Sequence, residues 1–492
     1  MVVYKLYTNA QKTGAAQTRK QRPPPPLAKN EAPGAVRTSG AFYFLHGLMY
    51  KPCGTEGVST AQSSSRGLVI FSIYRNHREA IVRRREFLSK SLTMGLVLPA
   101  VSSLLHAQAS TGRQPLSQSA AKVLSETDLE DIVRGCSYLS CGGGGTLRGA
   151  LKIVRRDLRN GLVFRLLSVE DLGDDEYAAT PYTLGSSAPL SEEMAERFEG
   201  LARIKEMPVA VSFRLLEQHL GKTFAAATVG ELGPESAAES LSVAAQIGIP
   251  ALDADAVGRA TPEVDQYSLL AAGVPIVPAA AVTPFGDEII LSKASRFDRE
   301  EQILRAISVV SMNFVGVTDG AIPGRVAKRP GVLVTGSISR AGRIGAVYRL
   351  AKKKGEDPIP AILAEGQGYR LFEGQIEEVD WRDEGGFLLG ELTIAGTGPF
   401  KDSRYRIAFK NEHLIAWRDG EVDVLPPDLI SLIDAPSGEA IANPEFERGM
   451  KVVVGGFRAP DLWRTPKGLD LFGPRHFGYE HDYVPIERLR AR

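Results

Sequence analysis

A run of four glycines, Gly142 to Gly145, is the first stretch of this sequence whose residues could do chemistry. It lies between two segments with helical apolar spacing, so its backbone N–H groups and the start of the second helix could bind an oxyanion or a substrate carboxylate. The run does not fit the dinucleotide pattern G-x-G-x-x-G, because Leu147 and Arg148 follow it and a helical segment precedes it. The alternative is a flexible turn, in which glycine permits positive φ. We predict that the substrate-binding residues include Gly142, Gly143, Gly144 and Gly145.

Cys141 precedes the glycine run and is the candidate nucleophile. A helix N-terminus favours the thiolate, which suits either a nucleophile or a metal ligand. Cys136 stands five residues earlier, and the two thiols could instead form a disulfide in an oxidising compartment. A small buried side chain is the commonest role of a free cysteine and is the other alternative. We expect Cys136 to be mainly structural.

The segment from Asp253 to Glu263 carries the best candidates for acid–base catalysis. It follows a short apolar run, where the strand ends of a parallel sheet would open into a crevice. Asp253 and Asp255 would face the same side of an extended chain, and Arg259 could hold a carboxylate or a developing anion. Glu263 follows Pro262 at a predicted helix start, where a carboxylate is also a favourable first-turn charge. We predict Asp253, Asp255 and Glu263 as catalytic and Arg259 as substrate-binding; the alternative is turn capping with a salt bridge to Arg259.

Histidines and acidic residues in the second half leave room for a divalent metal without identifying its site. The candidates are His413, His476, Glu480, His481 and Asp482. Their spacing matches no strong zinc signature, because His476 and His481 are five residues apart in a loop-like stretch. Surface or supporting roles are therefore favoured over metal ligation.

Composition limits the classes of protein to which this chain can belong. The chain has 492 residues, of which 43% are hydrophobic and 24% charged, as in ordinary globular proteins with two or three domains. Its 59 Lys and Arg residues nearly equal its 58 Asp and Glu residues, and no basic stripe with interleaved aromatics occurs. We therefore expect no nucleic-acid partner. Three cysteines are too few for a disulfide framework.

Residues 83–109 resemble a twin-arginine signal peptide. Arg84 and Arg85 are followed by Glu86-Phe87-Leu88, then by a short apolar stretch from 92 to 105, then by the small-x-small site 107–109. A buried or amphipathic helix is the alternative. The signal predicts a precursor that the twin-arginine translocase exports, and a periplasmic or secreted mature protein.

Residues 1–82 differ in composition from the rest of the chain. They contain the polyproline run Pro23 to Pro26, a serine cluster at 63–65 and no sustained apolar period. Such a segment buries too little surface to offset the entropy of ordering it. It is either a disordered extension or translation upstream of the true start codon, and the position of the signal peptide favours the second interpretation.

The elements that must position the candidate residues begin at Ser125. Ser125 and Asp128 form a capping pattern, followed by a helical stripe to about Leu139 and a second helix from about Thr146. Up to about Pro278 short apolar runs alternate with helical patterns, which predicts a parallel or mixed sheet covered by helices. The predicted strands are 162–169, 209–213, 224–229, 250–252 and 274–277, and the helices between them include 237–247 and 264–272.

Beyond Tyr369 the pattern changes to many short strand-like runs, separated by turn signals such as Asp419-Gly420. This pattern is typical of an antiparallel sheet or a small barrel. We predict an α/β N-terminal domain over 124–285, with a mixed or parallel sheet and helices. A β-rich, barrel-like C-terminal domain follows over 286–490.

Several short blocks of the sequence resemble the S-methyl thiohydantoin desulfurase family, which was long known only as a domain of unknown function. The blocks are 139–145, 253–263, 411–414, 427–430 and 473–479, in the order expected of the family. The resemblance implies an α/β N-terminal and a β-rich C-terminal domain, and Asn411 joins the predicted substrate-binding residues. It also implies hydrolysis of a small cyclic ureide or its S-methylated sulfur analogue, with release of methanethiol.

We therefore predict a hydrolase that converts S-methyl thiohydantoin to hydantoin. This chemistry requires deprotonation of a water, stabilisation of a tetrahedral intermediate and stabilisation of the leaving sulfur, or a covalent step through Cys141. Two alternatives stay open: a metal-dependent hydrolase of cyclic amides, and a ureide-binding protein without activity. The expected partner of the mature protein is a small-molecule substrate, and the sequence makes no prediction of its oligomeric state.

Overall fold

The computed structural model describes residues 120–491. The predicted extension over 1–82 and the predicted signal peptide over 83–109 lie outside the described residues. Within the described range no helix has both the length and the apolar character needed to cross a membrane.

Residues 126–366 contain the helices that pack on a mixed sheet. The helices are α1 (Glu126–Leu139), α2 (Leu147–Arg159), α3 (Glu192–Arg197), α4 (Pro208–Leu220), α5 (Pro234–Ile247), α6 (Ser268–Ala271), α7 (Phe297–Val309), α8 (Gly324–Ala327), α9 (Ser337–Lys354) and α10 (Ile359–Gly366). The predicted start of α1 is confirmed. The Ser125 hydroxyl accepts from the Asp128 amide at 3.1 Å, and the Asp128 carboxylate accepts from the Ser125 amide at 2.9 Å.

Nine strands form the mixed sheet, with the order β1-β2-β5-β4-β3-β8-β6-β7 and β9 beside β5. The strands are β1 (Lys122–Val123), β2 (Arg165–Leu167), β3 (Tyr177–Gly185), β4 (Phe224–Val229), β5 (Ala251–Asp255), β6 (Ala279–Val282), β7 (Glu288–Leu291), β8 (Phe314–Pro323) and β9 (Val334–Thr335). The pairs β2–β5, β4–β5 and β3–β4 are parallel, whereas β3–β8 and the pairs beyond it are antiparallel. The predicted α/β fold is therefore confirmed, with a mixed sheet; its strands β7, β8 and β9 lie beyond residue 285, the predicted end of this part.

Seven strands of the second half form an antiparallel sheet that curls into a half-barrel, as predicted. In the order β14-β13-β12-β11-β10-β16-β15, they are β10 (Tyr369–Glu384), β11 (Phe387–Gly396), β12 (Arg404–Lys410), β13 (Glu412–Arg418), β14 (Glu421–Val424), β15 (Leu429–Asp434) and β16 (Lys451–Phe457). Two short helices follow, α11 (Pro466–Phe472) and α12 (Ile486–Arg490).

Two predicted strands in the first half are wrong. Residues 209–213 belong to helix α4, where Pro208 occupies the first turn and Val209, Phe213 and Leu216 are buried at helical spacing. A short apolar run at a helix start is easily mistaken for a buried strand, because periodicity alone does not separate the two. Residues 274–277 precede the strand, which begins at Ala279.

The C-terminal segment returns to the first half and packs against its sheet. Trp463 and Phe472 are fully buried in a core that includes Leu252 and Leu269, and the Trp463 indole donates to the carbonyl of Val257 at 2.6 Å. The chain that leaves the half-barrel after β16 is thereby packed against the residues that follow β5 of the mixed sheet. The candidate site lies at this junction.

Candidate functional site

The glycine loop joins α1 to α2 and requires glycine for its backbone. Gly142, Gly144 and Gly145 have φ of +86°, +64° and +82°, and Cys141 before them also has positive φ, at 53°. The Gly144 carbonyl accepts from the first amides of α5, those of Glu235 and Ser236, at 2.9 and 3.2 Å. The first N–H groups of a helix have no acceptor within the helix, and here two of them bind a carbonyl oxygen of the loop. The loop is therefore anchored to the start of α5.

A cavity of about 360 Å³ opens beside this loop. Gly144 and Gly145 line it, and neither of their amides has a hydrogen-bond acceptor among residues 120–491. Five carboxyl side chains also line the cavity: Glu231, Glu235, Glu239, Glu263 and Glu412. Arg305 is the one arginine among the lining residues. The cavity is thus rich in acid groups, with two amides free to bind an anion.

Glu231 lies two residues after the end of strand β4, at the edge of the sheet where parallel strands end. One carboxylate oxygen accepts from the Ser236 hydroxyl at 2.8 Å, and the other accepts from the Thr261 amide at 2.8 Å. Burial raises the pKa of Glu231 to about 7, against the lowering effect of these two hydrogen bonds. Near neutral pH this group therefore exists in both protonation states.

Glu412 begins strand β13 and is buried against the glycine loop. A Cβ placed on Gly143 would lie 1.6 Å from Glu412 Oε1, so the absence of a side chain at Gly143 leaves the room that the carboxyl occupies. The Oε2 atom has no hydrogen-bond partner among the described residues. Burial, followed by the charge of Glu231, raises the pKa of Glu412 well above its usual value. Glu412 and Glu231 are therefore interacting acids, and burial favours the protonated form of Glu412.

Two asparagines, Asn411 and Asn443, line the cavity on the side of the half-barrel. The backbone amide of Asn443 donates to the Gly142 carbonyl at 2.7 Å, and its side-chain amide donates to the Asn411 carbonyl at 2.6 Å. This fixes the orientation of the Asn443 side chain, whose buried Oδ1 has no partner among the described residues. Asn411 lines the cavity, but its Oδ1 already accepts from the Leu388 and Ser187 amides at 2.9 and 3.2 Å.

The structure places Cys141 behind the loop, outside the residues that line the cavity. Its carbonyl accepts from the His413 amide at 2.7 Å. Burial raises the pKa of the Cys141 thiol to about 11, and burial also raises the pKa of Cys136. Both cysteines are free thiols, and at neutral pH both stay protonated in these surroundings.

Asp253, Asp255 and Arg259 also lie outside the cavity lining. Asp253 accepts from the Ser339 amide and hydroxyl at 2.8 and 2.6 Å, at the start of α9. Asp255 is fully buried, accepts from the Val257 amide at 2.7 Å, and has a pKa that burial raises to about 6. The strand therefore does not present these two carboxylates to the same space as the glycine loop.

Arg259 is fully buried and bonds backbone carbonyls rather than a carboxylate. Its guanidinium donates to His413 at 2.9 Å, to Pro427 and Asp428 at 3.1 Å each, and to the adjacent Ala260 at 2.9 Å. These bonds connect the mixed sheet to strands of the half-barrel.

Glu263 lines the cavity and belongs to a second cluster at its rim. Single ligand atoms of Glu263, Asp265 and His476 lie within 4.8 Å of one another, and this is the one group among the described residues with the spacing of a metal site. Glu263 Oε2 lies 2.7 Å from His476 Nε2, and Lys410 contacts its other oxygen. Although burial acts in the opposite direction, the His476 hydrogen bond and the Lys410 charge lower the pKa of Glu263 to about 2.

Whether this cluster suits a metal depends on its charge balance. Burial, then the charge of Glu263, raises the pKa of Asp265 to about 7, while Glu263 raises the pKa of His476 above its usual value despite burial. The donor set of one imidazole and two carboxylates fits a divalent transition metal. His476 would have to lose its proton to bind one, and Lys410 would have to release Glu263.

Sequence reasoning missed Glu231, Asn443 and the acid role of Glu412. For Glu231 a signal was present, because Gly230-Glu231-Leu232-Gly233 follows a mostly apolar strand and precedes a helix. That is the position at which a parallel sheet presents polar groups to a crevice. Asn443 lies in an irregular stretch between β15 and β16, and nothing in its sequence neighbourhood marks it.

Comparison with known proteins yields a family and a fold. The model of the S-Me-THD-like N-terminal domain matches residues 127–293, and that of the S-Me-THD-like C-terminal domain matches residues 295–486. The X-ray crystal structure of a protein from Chromobacterium violaceum is similar in fold, with a TM-score of 0.58 and 22% identity. The alignment covers 74% of this chain and 100% of that chain. No curated protein matches. From the two domain matches, the chain belongs to the S-Me-THD-like family.

Proposed function

We propose that the chain is a hydrolase of a small cyclic ureide, and that it converts S-methyl thiohydantoin to hydantoin with release of methanethiol. Membership of the S-Me-THD-like family supports a hydrolase or desulfurase role. The single observation that carries the proposal is the pair of interacting acids, Glu231 and Glu412, in one cavity beside two free amides. Two titratable groups whose surroundings separate their pKa values are the usual sign of an acid and a base.

In the proposed reaction the Glu231 carboxylate takes a proton from water, which attacks the ring carbon that bears the methylthio group. The amides of Gly144 and Gly145 stabilise the charge that develops on the ring. Protonated Glu412 donates to the leaving sulfur, so that the C–S bond breaks and methanethiol departs. The added oxygen becomes the carbonyl of hydantoin, and its remaining proton returns to the ionised Glu412. The proton that Glu231 took from water passes to the ring nitrogen, so that both acids regain their starting states.

This assignment moves the acid–base role from Asp253 and Asp255 to the carboxyls that line the cavity. Glu263 keeps a place in the site as a rim residue that orients Lys410 and His476. Cys141 as a covalent nucleophile is the competing route, and it requires the loop to expose a buried thiol.

The experiment uses purified residues 110–492 with S-methyl thiohydantoin and with plain hydantoin, followed by mass spectrometry for methanethiol and for ring opening. We expect methanethiol from the first substrate and a loss of at least about a hundredfold in turnover for Glu231→Gln and for Glu412→Gln. Cys141→Ala tests the covalent route, and Asp255→Asn tests the acid–base role that the sequence predicted for Asp255. Full turnover in both glutamine variants, with loss of turnover in Cys141→Ala, would reject Glu231 and Glu412 as the acid–base pair and favour Cys141 as the nucleophile.

A metal-dependent hydrolase of cyclic amides is the second candidate, favoured by the cluster of Glu263, Asp265 and His476. It predicts stoichiometric zinc or manganese in the purified protein and loss of that metal in His476→Ala. Ring opening of plain hydantoin that depends on the metal would favour this candidate. Absence of metal together with methanethiol release would reject it.

We further propose that the chain is made as a precursor for the twin-arginine translocase and acts in the periplasm or outside the cell. The pattern Arg84-Arg85-x-Phe87-Leu88, with its apolar stretch and cleavage site, supports this. Replacement of Arg84 and Arg85 by lysine should leave the protein in the cytoplasmic fraction of a bacterial host. Equal recovery of both forms from the periplasm would reject export by this route.

A further inference from the structure

Strand β3 runs further than its parallel neighbour β4 and ends beside the cavity. The ladder between the two strands reaches only to Ala179 and Ala227, whereas β3 continues to Gly185. Thr183 and Gly185 lie beyond the end of that ladder, and both line the cavity. On its β4 side, the last part of β3 therefore has no neighbouring strand within residues 120–491.

The register with β8, on the other side, shows which backbone groups of β3 lie on this open side. Along an antiparallel pair, residues that exchange hydrogen bonds with the partner strand alternate with residues whose N–H and C=O point away from it. Just beyond the end of β3, the Ser186 amide donates to the Asn313 carbonyl at 3.0 Å. By this alternation Leu184 and Tyr182 also bond to β8. Thr183, between them, therefore points its N–H and C=O away from β8.

The carbonyls on either side of Thr183 agree with this direction. The Pro181 carbonyl accepts from the Ser240 hydroxyl of α5 at 2.8 Å, and the Gly185 carbonyl accepts from the Arg305 guanidinium of α7 at 2.7 Å. Neither donor belongs to β8. Arg305 also donates to the Pro262 carbonyl at 2.8 Å, so the end of the open edge is fixed to the chain that follows β5.

Three backbone groups on the open edge are left without a partner. They are the N–H and C=O of Thr183 and the N–H of Gly185, and no group in the described part of the chain bonds to them. Thr183 is exposed, so a molecule in the cavity can reach them. Glu412, which lines the same cavity and is 2% exposed, also has an unpartnered oxygen. Two parts of the cavity wall thus offer polar groups whose partners a ligand would supply.

We propose that the open edge of β3 binds the substrate ring through main-chain hydrogen bonds, and that it selects a cyclic ureide with an unsubstituted imide N–H. The Thr183 carbonyl accepts from this ring N–H, and the Gly185 N–H donates to the adjacent ring carbonyl. A carbonyl and the amide two residues later point to the same side of a strand, and so match a neighbouring N–H and C=O on one edge of a ring.

This contact would also position the reacting carbon. In S-methyl thiohydantoin the nitrogen next to the ring carbonyl is bonded directly to the carbon that carries the methylthio group. Holding that nitrogen on the Thr183 carbonyl therefore fixes the carbon in the cavity that Glu231 lines. The identity of the ring rests on the proposed function, whereas the open edge is a property of the fold.

The selection is tested by calorimetric binding of hydantoin, 1-methylhydantoin and 3-methylhydantoin to the purified protein, which needs no turnover. The methyl group of 3-methylhydantoin replaces the imide N–H, and we expect its Kd to be at least about tenfold higher than that of hydantoin, the effect of one lost hydrogen bond. 1-Methylhydantoin is the matched control, because a methyl group of the same size leaves the imide N–H intact. Its Kd should rise much less.

Hydrogen–deuterium exchange then locates the contact. Saturating hydantoin should slow the exchange of the Gly185 amide, and the Glu288 amide on β7, outside the cavity lining, should exchange at an unchanged rate. Equal Kd values for the two methyl isomers, no binding of hydantoin, or unchanged exchange at Gly185 would each overturn the inference. Release of methanethiol alongside any of these results would leave the proposed function standing. Discrimination between the isomers with protection of Gly185, but without methanethiol, would reject the proposed reaction and retain the ring contact.

Discussion

Gly143→Ala is the substitution whose effect follows most directly from the geometry of the site. Gly143 has no positive φ, so alanine adds no backbone strain, and the three atoms nearest to the new methyl group all belong to the Glu412 side chain. The built Cβ lies 1.6 Å from Oε1, whereas ordinary contact begins at 3.4 Å. The carboxyl must therefore move by nearly 2 Å within a buried space.

Overpacking of this kind costs about 1–3 kcal/mol. The cost should largely disappear in a protein that also carries Glu412→Ala, because the methyl group then fills space that the carboxyl has left. Residues in contact show coupling energies of about 0.5–3 kcal/mol in a double-mutant cycle. We expect a value in that range between Gly143→Ala and Glu412→Ala.

The assay is urea unfolding at pH 7 of the parent protein, the two single variants and the double variant. Gly342→Ala is the matched control, since a Cβ there meets only Ile132, at 3.3 Å, and alanine is the better helix former. It should change the free energy of unfolding by less than about 1 kcal/mol. An equal cost of Gly143→Ala with and without Glu412 would refute the packing of the carboxyl on the loop.

Three further predictions follow from the same contacts. Burial raises the pKa of Glu231 from 4.5 to about 7. Between pH 4.5 and 8 the free energy of unfolding of the parent protein should therefore fall by on the order of 3 kcal/mol relative to that of Glu231→Gln. A difference that stays constant over this range would contradict the raised pKa. Arg259→Met should lower the free energy of unfolding by roughly 3 kcal/mol or more, because several buried carbonyls lose their donor. Urea unfolding of both variants checks this: the exposed Arg325→Met should cost under about 1 kcal/mol, and equal losses would contradict the argument. In residues 110–492 the thiols of Cys136 and Cys141 should react with a thiol reagent at pH 8 only slowly until denaturant is added; rapid reaction of the folded protein would show that the loop opens.

Much of the architecture could be predicted from local sequence signals. The capping pattern at Ser125 and the glycines after Leu139 mark helix ends by hydrogen bonding and backbone freedom, which act within a few residues. The alternation of strands and helices up to Pro278, and its loss beyond Tyr369, gave the two-part fold. Residues 209–213 were misassigned because a buried helix turn and a buried strand share the same short apolar run.

The site was harder to predict, because it is built by contacts between distant segments. Glu412 reaches Gly143 across more than 260 residues, and Asn443 reaches Gly142 across about 300. The acid pair Asp253 and Asp255 looked suitable because the segment follows a short apolar run, but both lie within β5, and hydrogen bonds with α9 and with the following turn hold them elsewhere. Burial decides which carboxyl keeps its proton, and burial is a property of the folded chain.

The four carbonyl bonds of Arg259 have a consequence for how this chain can be divided. A guanidinium stays charged throughout the accessible pH range, so a fragment that ends near residue 293 would carry a bare cation where strands of the half-barrel had been. The complementary fragment would expose the carbonyls of His413, Pro427 and Asp428. The two family domains therefore do not act as independent modules. We expect that a domain taken from one family member will not fold stably with the other domain of a different member unless the Arg259 contacts are kept.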